Sequence, residues 1–203
     1  MRSSEINIIG AGGHARSVIA LLEQTNFNIA GIYDESFEKS NTEKISGHSL
    51  LGKVPGKEKK IILAIGDNIT RKKFFYEFAE NIFVEKIFHP TAIVEMRTSF
   101  GKANLVFAGS IINTEAKVGD NNIINTRSLI EHEATIGNHN HISVGAIICG
   151  RVRIGSCCFI GAGTVVIDKI TICDNVTIGA NAVVVKNINE PGIYVGNPAR
   201  KIK

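Results

Sequence analysis

Large apolar residues recur at every sixth position from Phe88 to Val184, passing through Val94, Phe100, Val106, Ile112, Val118, Ile124, Ile130, Ile136, Ile142, Ile148, Ile154, Ile160, Val166, Ile172 and Ile178 without a break. Neither the 3.6-residue period of a helix nor the two-residue period of an ordinary strand produces this spacing. A six-residue unit is one short strand plus a corner, and three units close a triangular coil with the apolar residue pointing inward. The residue after that slot is often glycine, as at Gly101, Gly119, Gly137, Gly155, Gly161 and Gly179. The fourth residue after it is often small, as at Ser110, Ser128, Ala134, Ala146, Thr164 and Ala182. The pattern predicts a parallel β-helix of hexapeptide repeats. About five and a half coils of roughly 18 residues would make a prism about 25 Å long.

The first eighty-odd residues follow a different rhythm. Glu5 to Gly10 reads as a buried strand, Gly13 to Thr25 as a helix with Val18, Leu21 and Leu22 inward, and Asn28 to Asp34 as a second strand. Lys60 to Gly66 reads as a third strand. Asp67 is an N-cap for a helix reaching Asn81, with Phe74, Phe75, Phe78 and Ala79 on its inner face. Ile82 to Ile87 reads as a fourth strand. Strands alternating with helices predict a small parallel α/β sheet. The polar stretch from Glu35 to Lys59 reads as an irregular connection. His89-Pro90 marks the junction, giving an α/β, half-Rossmann domain over residues 1–87 and the β-helix over residues 88–203.

Composition narrows the function classes. The 203 residues are 44% hydrophobic and 21% charged, as in a globular protein, and 20 glycines with no Trp fit narrow, regular packing. A net charge of +4 is mild, and no Lys/Arg run is dense enough for nucleic acid. No apolar stretch reaches the roughly 18 residues that cross a bilayer. The four cysteines form no CxxC pair and no obvious disulfide framework, which points to reduced thiols and a cytoplasmic setting.

Candidate chemistry sits in two places. Gly10-Ala11-Gly12-Gly13-His14-Ala15 follows the first strand and opens a helix, a GxGxx(G/A) arrangement whose amides and helix dipole suit phosphate. Asp34 ends the second strand, near the spacing used for a ribose hydroxyl. This alone suggests NAD or a bare tight turn. With only about four strands, however, the second mononucleotide half is missing, so a mononucleotide or a nucleotide sugar fits better. Gly66-Asp67-Asn68 lies on the same edge. In the β-helix, Ile130-Glu131-His132-Glu133 sets an outward imidazole beside carboxylates, either a general base or a surface pair. His139 and His141 could share a zinc ion, but the spacing matches no metal motif, and no metal is expected. Cys157 and Cys158 read as packing thiols.

These motifs, with Ala64-Ile65-Gly66-Asp67-Asn68, Ile124-Asn125-Thr126 and Gly196-Asn197-Pro198-Ala199, resemble the NeuD-type hexapeptide-repeat sugar acetyltransferases. That group contains sialic acid O-acetyltransferases and PglD-like N-acetyltransferases of UDP-4-amino-4,6-dideoxy sugars, and the present pattern is closer to the latter. The resemblance implies a homotrimer of left-handed β-helices with acetyl-CoA bound between adjacent subunits. It implies His132 as general base, with Glu133 raising its basicity. It also implies His141 near the thioester and Ala162 and Ala180 against the CoA arm. By the same resemblance, Gly12, Gly13, His14, Asp34, Glu35 and Gly66 would hold the nucleotide sugar, with Asn125 near the reaction centre. Gly12 stands where relatives also carry Ser, which leaves the loop without that hydroxyl. Arg200, Lys201 and Lys203 either meet the phosphates of CoA or form a solvated tail.

Overall fold

The computed structural model describes residues 4–25, 27–34, 44–52, 60–83 and 85–203. The chain divides into two compact units at Val84/Glu85, each taken here by itself.

The first unit is a five-stranded sheet of order β3-β4-β2-β1-β5. Strands β1 (Ser4–Ile9), β2 (Phe27–Tyr33) and β5 (Ile61–Leu63) are parallel, with β1 in the centre, where both faces are covered and Ile6, Ile8 and Ile9 are buried. Helix α1 (Gly13–Glu23) buries Ala15, Val18, Ile19, Leu21 and Leu22, a stripe at the i, i+3, i+4 spacing.

Three sequence expectations give way here. The sheet is mixed rather than parallel: β3 (Lys44–Ile45) and β4 (His48–Leu51) form an antiparallel hairpin, and β4 extends the sheet beside β2. Its two-residue turn is Ser46-Gly47, with φ of 48° and 84°, the left-handed pair that lets a tight hairpin match strand twist. Helix α2 is Asn68–Glu77, shorter than expected, and it buries Asn68 and Arg71, while its Phe74 and Phe75 and the C-cap Phe78 are half-buried and Ala79 is exposed. Among the described residues from Ile82 to Ile87, no fourth parallel strand of this sheet forms. Ile82 makes a single bridge to Ile61, and Ile87 pairs with Leu105 in the second unit.

The second unit is a left-handed parallel β-solenoid of three faces. The first face starts with Ile87–Phe88 and carries eight strands, the second starts with Ile93–Val94 and carries six, and the third starts with Ser99–Phe100 and carries five. Each residue pairs with the one 18 positions on, as Ile112 with Ile130 and Ile130 with Ile148. The slots from Val106 to Val184 point inward and are essentially inaccessible to solvent, and Ser110, Ser128, Ala134, Ala146, Thr164 and Ala182 are buried at the corners.

The third residue after each slot has left-handed φ, at every sixth position from Arg97 to Asn181, and a non-glycine residue fills most of these positions. The glycines after the slots have a separate cause. On the third face, a side-chain oxygen of the next coil crosses directly over Gly101, Gly119 and Gly155, from Asp120, Asn138 and Asp174 respectively. Those oxygens accept from the amides of Lys102, Asp120 and Ser156 at 2.7 Å, so a polar ladder runs along one edge of the prism. Beyond Val184 the six-residue phase slips by two, because Ile188 pairs with Ile172 and Tyr194 with Ile178.

Candidate functional site

In the first unit the glycine loop opens onto a cavity of about 440 Å³ lined by Gly12, Gly13, His14, Asp34 and Gly66, together with Tyr33, Ile65 and Phe74. Glu35 lies outside the described residues. Gly10 has φ +106°, and a Cβ there would stand 2.8 Å from the carbonyl oxygen of Ala64, so the loop can cross the sheet edge only as glycine. Gly12 caps α1 without a side chain. Asp34 Oδ2 accepts from the amide of Ala11 at 2.8 Å, bracing the loop at the cavity mouth.

Opposite, Arg71 reaches back from α2. Its guanidinium donates to the carbonyls of Ile65 and Gly66 at 3.1 and 3.2 Å and to Asn68 Oδ1 at 2.7 Å. Asp67 accepts from the amide of Thr70 at 2.8 Å, which caps α2, and hydrogen bonding from the Thr70 side chain first and its amide second holds the carboxyl below the usual range. Burial first, and the Arg71 charge second, hold the His14 imidazole down to about 4. His14 is therefore neutral at neutral pH and can either donate or accept a hydrogen bond. Sequence reasoning missed Arg71, because an arginine one turn into a polar helix reads as a surface residue.

In the second unit the candidate residues separate along the two edges of the second face. At the edge toward the third face, His132 Nδ1 donates to Glu133 Oε2 at 3.1 Å, both half-exposed, so that in the neutral imidazole Nε2 is the acceptor. Below the ring, Glu131 accepts from the main-chain amide of His132 at 3.1 Å and from Asn113 Nδ2 at 2.7 Å. Above it, Arg151 grips Asp168 with two hydrogen bonds of 3.1 and 2.6 Å, which keeps that carboxyl well below its ordinary value.

At the opposite edge, Asn125 Oδ1 accepts from the amide of Thr126 at 2.8 Å, which fixes its amide. Asn125 Nδ2 then donates to Nε2 of the buried His141 at 3.1 Å, and the imidazole packs edge-on against Phe159. His139 is engaged separately by Asn121 at 2.9 Å. Ala162 and Ala180 stack one coil apart on this same edge, linked by the Asn181 amide donating to the Ala162 carbonyl. Gly161, Gly163 and Gly179 flank this strip, with the Asn181 side-chain oxygen over Gly163 and Val195 against Gly179. Within one chain, His132 and this strip flank the same face without meeting. Lys201 is paired with Glu190 at 2.9 Å.

Residues 5–78 match the PglD N-terminal domain, and residues 151–186 match six repeats of the bacterial transferase hexapeptide. The chain is thus similar to a PglD N-terminal domain over its first unit and to bacterial transferase hexapeptide repeats within its solenoid. No curated protein matches it in sequence. Among solved structures, a point variant of perosamine N-acetyltransferase from Caulobacter crescentus, in complex with CoA and GDP-perosamine, superposes with a TM-score of 0.91 at 28% identity. That match covers 98% of this chain and 97% of the other. The acetyltransferase domain of PglB from Neisseria gonorrhoeae, in complex with acetyl coenzyme A, matches with a TM-score of 0.87 at 26% identity over 98% and 100% of the two chains. WeeI from Acinetobacter baumannii, 20% identical with a TM-score of 0.85 over the same shares, has the same fold. The first unit holds the cavity, and the solenoid holds the imidazole–carboxylate pair.

Proposed function

We propose that the chain transfers the acetyl group of acetyl-CoA to the amine of a nucleotide-linked amino sugar of the 4-amino-4,6-dideoxy type. The observation that carries this reading is the half-exposed His132–Glu133 pair, with Nδ1 bound to carboxylate, on a fold whose 26–28% identical relatives bind CoA or acetyl-CoA. The amine nitrogen bonds to the acetyl carbon, its proton passes to His132 Nε2, and the C–S bond breaks with its electron pair leaving on the CoA sulfur. Glu133 stabilises the imidazolium that forms. Donors near His141 and a main-chain amide meet the developing oxyanion, and holding both reactants in line supplies much of the acceleration. The braced loop of the first unit, with His14, Asp34 and Gly66, takes the nucleotide, and the strip at Ala162 and Ala180 takes the CoA arm.

The reaction centre then forms between copies of the chain in a homotrimer. Support comes from the outward row of the second face, which is Ile93, Ile111, Leu129, Ile147, Val165 and Val183, with Ile93 52% exposed and Ile147 36%. Burying that row brings the His132 edge of one copy toward the strip edge of the next. No described helix is long and apolar enough to cross a membrane, and acetyl-CoA and sugar nucleotides place the reaction in the cytoplasm.

The test is CoA release from acetyl-CoA with UDP-, GDP- and dTDP-linked 4-amino sugars and with sialic acid as acceptors. Turnover with an amino sugar is expected, and His132→Ala should lower kcat by about 10² to 10⁴. Release with sialic acid alone would replace the reading with O-acetyl transfer. A folded His132→Ala variant of undiminished rate would remove the base.

A further inference from the structure

The three residues after each first-face slot line one edge of the solenoid, from residues 89–91 to residues 179–181. These eighteen positions hold no Asp, Glu or Lys and a single arginine, Arg127. The matching positions after the second-face slots, where His132 stands, hold five carboxylates, at Glu95, Glu115, Glu131, Glu133 and Asp168. Arg127 is exposed and enters no ion pair or side-chain hydrogen bond with any described residue. The left-handed positions of its edge are Gly109, Arg127, Gly145, Gly163 and Asn181, and all but Arg127 are of types that tolerate positive φ. The arginine side chain also has a direction. A Cβ added at Gly109, one coil below, would stand 3.4 Å from Arg127 Cγ, whereas one at Gly145, one coil above, would meet nothing within 4 Å. Arg127 therefore leans toward the first coil and away from Ala162 and Ala180.

A second donor waits at that coil. The amide of Gly109 donates to Thr91 Oγ1 at 3.1 Å, and the amide of Thr91 donates to His89 Nδ1, also at 3.1 Å. Since Nδ1 is the acceptor, the hydrogen of the neutral imidazole is on Nε2, and no described residue takes it up. Thr91 and Arg127 are two coils apart, about 10 Å along the axis, a gap that the downward lean of the arginine narrows.

On the N-acetyl transfer reading above, we infer that Arg127 and His89 form the subsite for the sugar-side phosphate of the acceptor. That reading lays the CoA arm along Ala162 and Ala180, so the acceptor comes from the opposite direction, and a diphosphate joins its sugar to its nucleoside. A guanidinium fork and an imidazole N–H match phosphate oxygens, and the edge carries no carboxylate to repel them or to occupy the cation. An arginine where glycine fits more easily is explained by the charge it brings.

The test uses the full-length protein with CoA present, and calorimetry against UDP, GDP, dTDP and the matching monophosphates. For the diphosphate that the wild type binds tightest, Arg127→Gly should weaken binding by about 10- to 100-fold, the equivalent of one hydrogen bond to a charged group. Binding of the monophosphate should be unchanged, whereas a merely structural loss would weaken both alike. Glycine suits the left-handed corner, so Tm should not fall. KM for the nucleotide amino sugar should rise with Kd, while KM for acetyl-CoA stays. His89→Ala should lower the same preference, and a His89→Ala variant that keeps it removes His89 from the subsite. An Arg127→Gly variant that keeps the full preference for the diphosphate overturns the inference and leaves N-acetyl transfer standing. If that variant is also less associated by light scattering, Arg127 serves an ion pair between copies instead. Absence of turnover with every amino sugar overturns both.

Discussion

At the scale of single residues, two buried cations-to-be define the first unit, and only one is charged. His14 sits neutral in the cavity wall while Arg71, 1% exposed, keeps its charge and satisfies it on Ile65, Gly66 and Asn68. His14 falls from 6.5 to about 4 on folding, so between those values the unfolded chain holds the extra proton. Stability therefore drops as pH falls through that window and levels off below it. The thermal midpoint of the wild type should fall more steeply from pH 6.5 to 4 than that of His14→Gln, as followed by circular dichroism. Arg71→Met orphans three acceptors at once and should cost at least about 3 kcal/mol in urea unfolding. His14 and the glycine loop were legible because Gly10-Ala11-Gly12-Gly13 has few other uses. Arg71 was not, since its meaning comes only from where α2 docks.

At the scale of elements, the solenoid strands are as regular as their spacing, because one slot in six must be apolar and nothing else can occupy it. The corners are less legible. Their left-handed residues include Arg97, Glu115, Glu133, Arg151 and Lys169, types that give no hint of positive φ. The glycines after the slots make room on the third face for the polar ladder, which their recurrence alone does not reveal. Gly137→Ala would put its Cβ 2.5 Å from the carbonyl oxygen of Gly155, main chain against main chain. It should cost at least about 2 kcal/mol in urea unfolding, whereas Gly12→Ala, with nothing within 4 Å, should stay within about 0.5 kcal/mol of wild type. The hairpin Lys44–Leu51 was missed because its strands are too short for a period, although Ser46-Gly47 is a turn pair. Helix α2 was drawn too long because its phenylalanines imitate a core face.

For the molecule as a whole, the second face carries the prediction. Ile147→Glu places a carboxylate in the middle of the aliphatic row and should yield a monomer by light scattering with an unchanged far-UV spectrum. CoA-dependent turnover should be lost with it if the reaction centre lies between copies. The row was not read from the sequence, since outward Ile111 and Leu129 alternate with the inward slots and look like ordinary strand residues.

The two-residue slip after Val184 has its own consequence. It carries the chain into Gly192–Val195, against which Arg200–Lys201 runs antiparallel at the rim of the first face. A parallel stack is a ready template for the next identical unit, and two such prisms meeting end to end could grow into a fibre. Here an approaching copy finds a strand of reversed direction bearing two cations, so the prism cannot be extended from that rim.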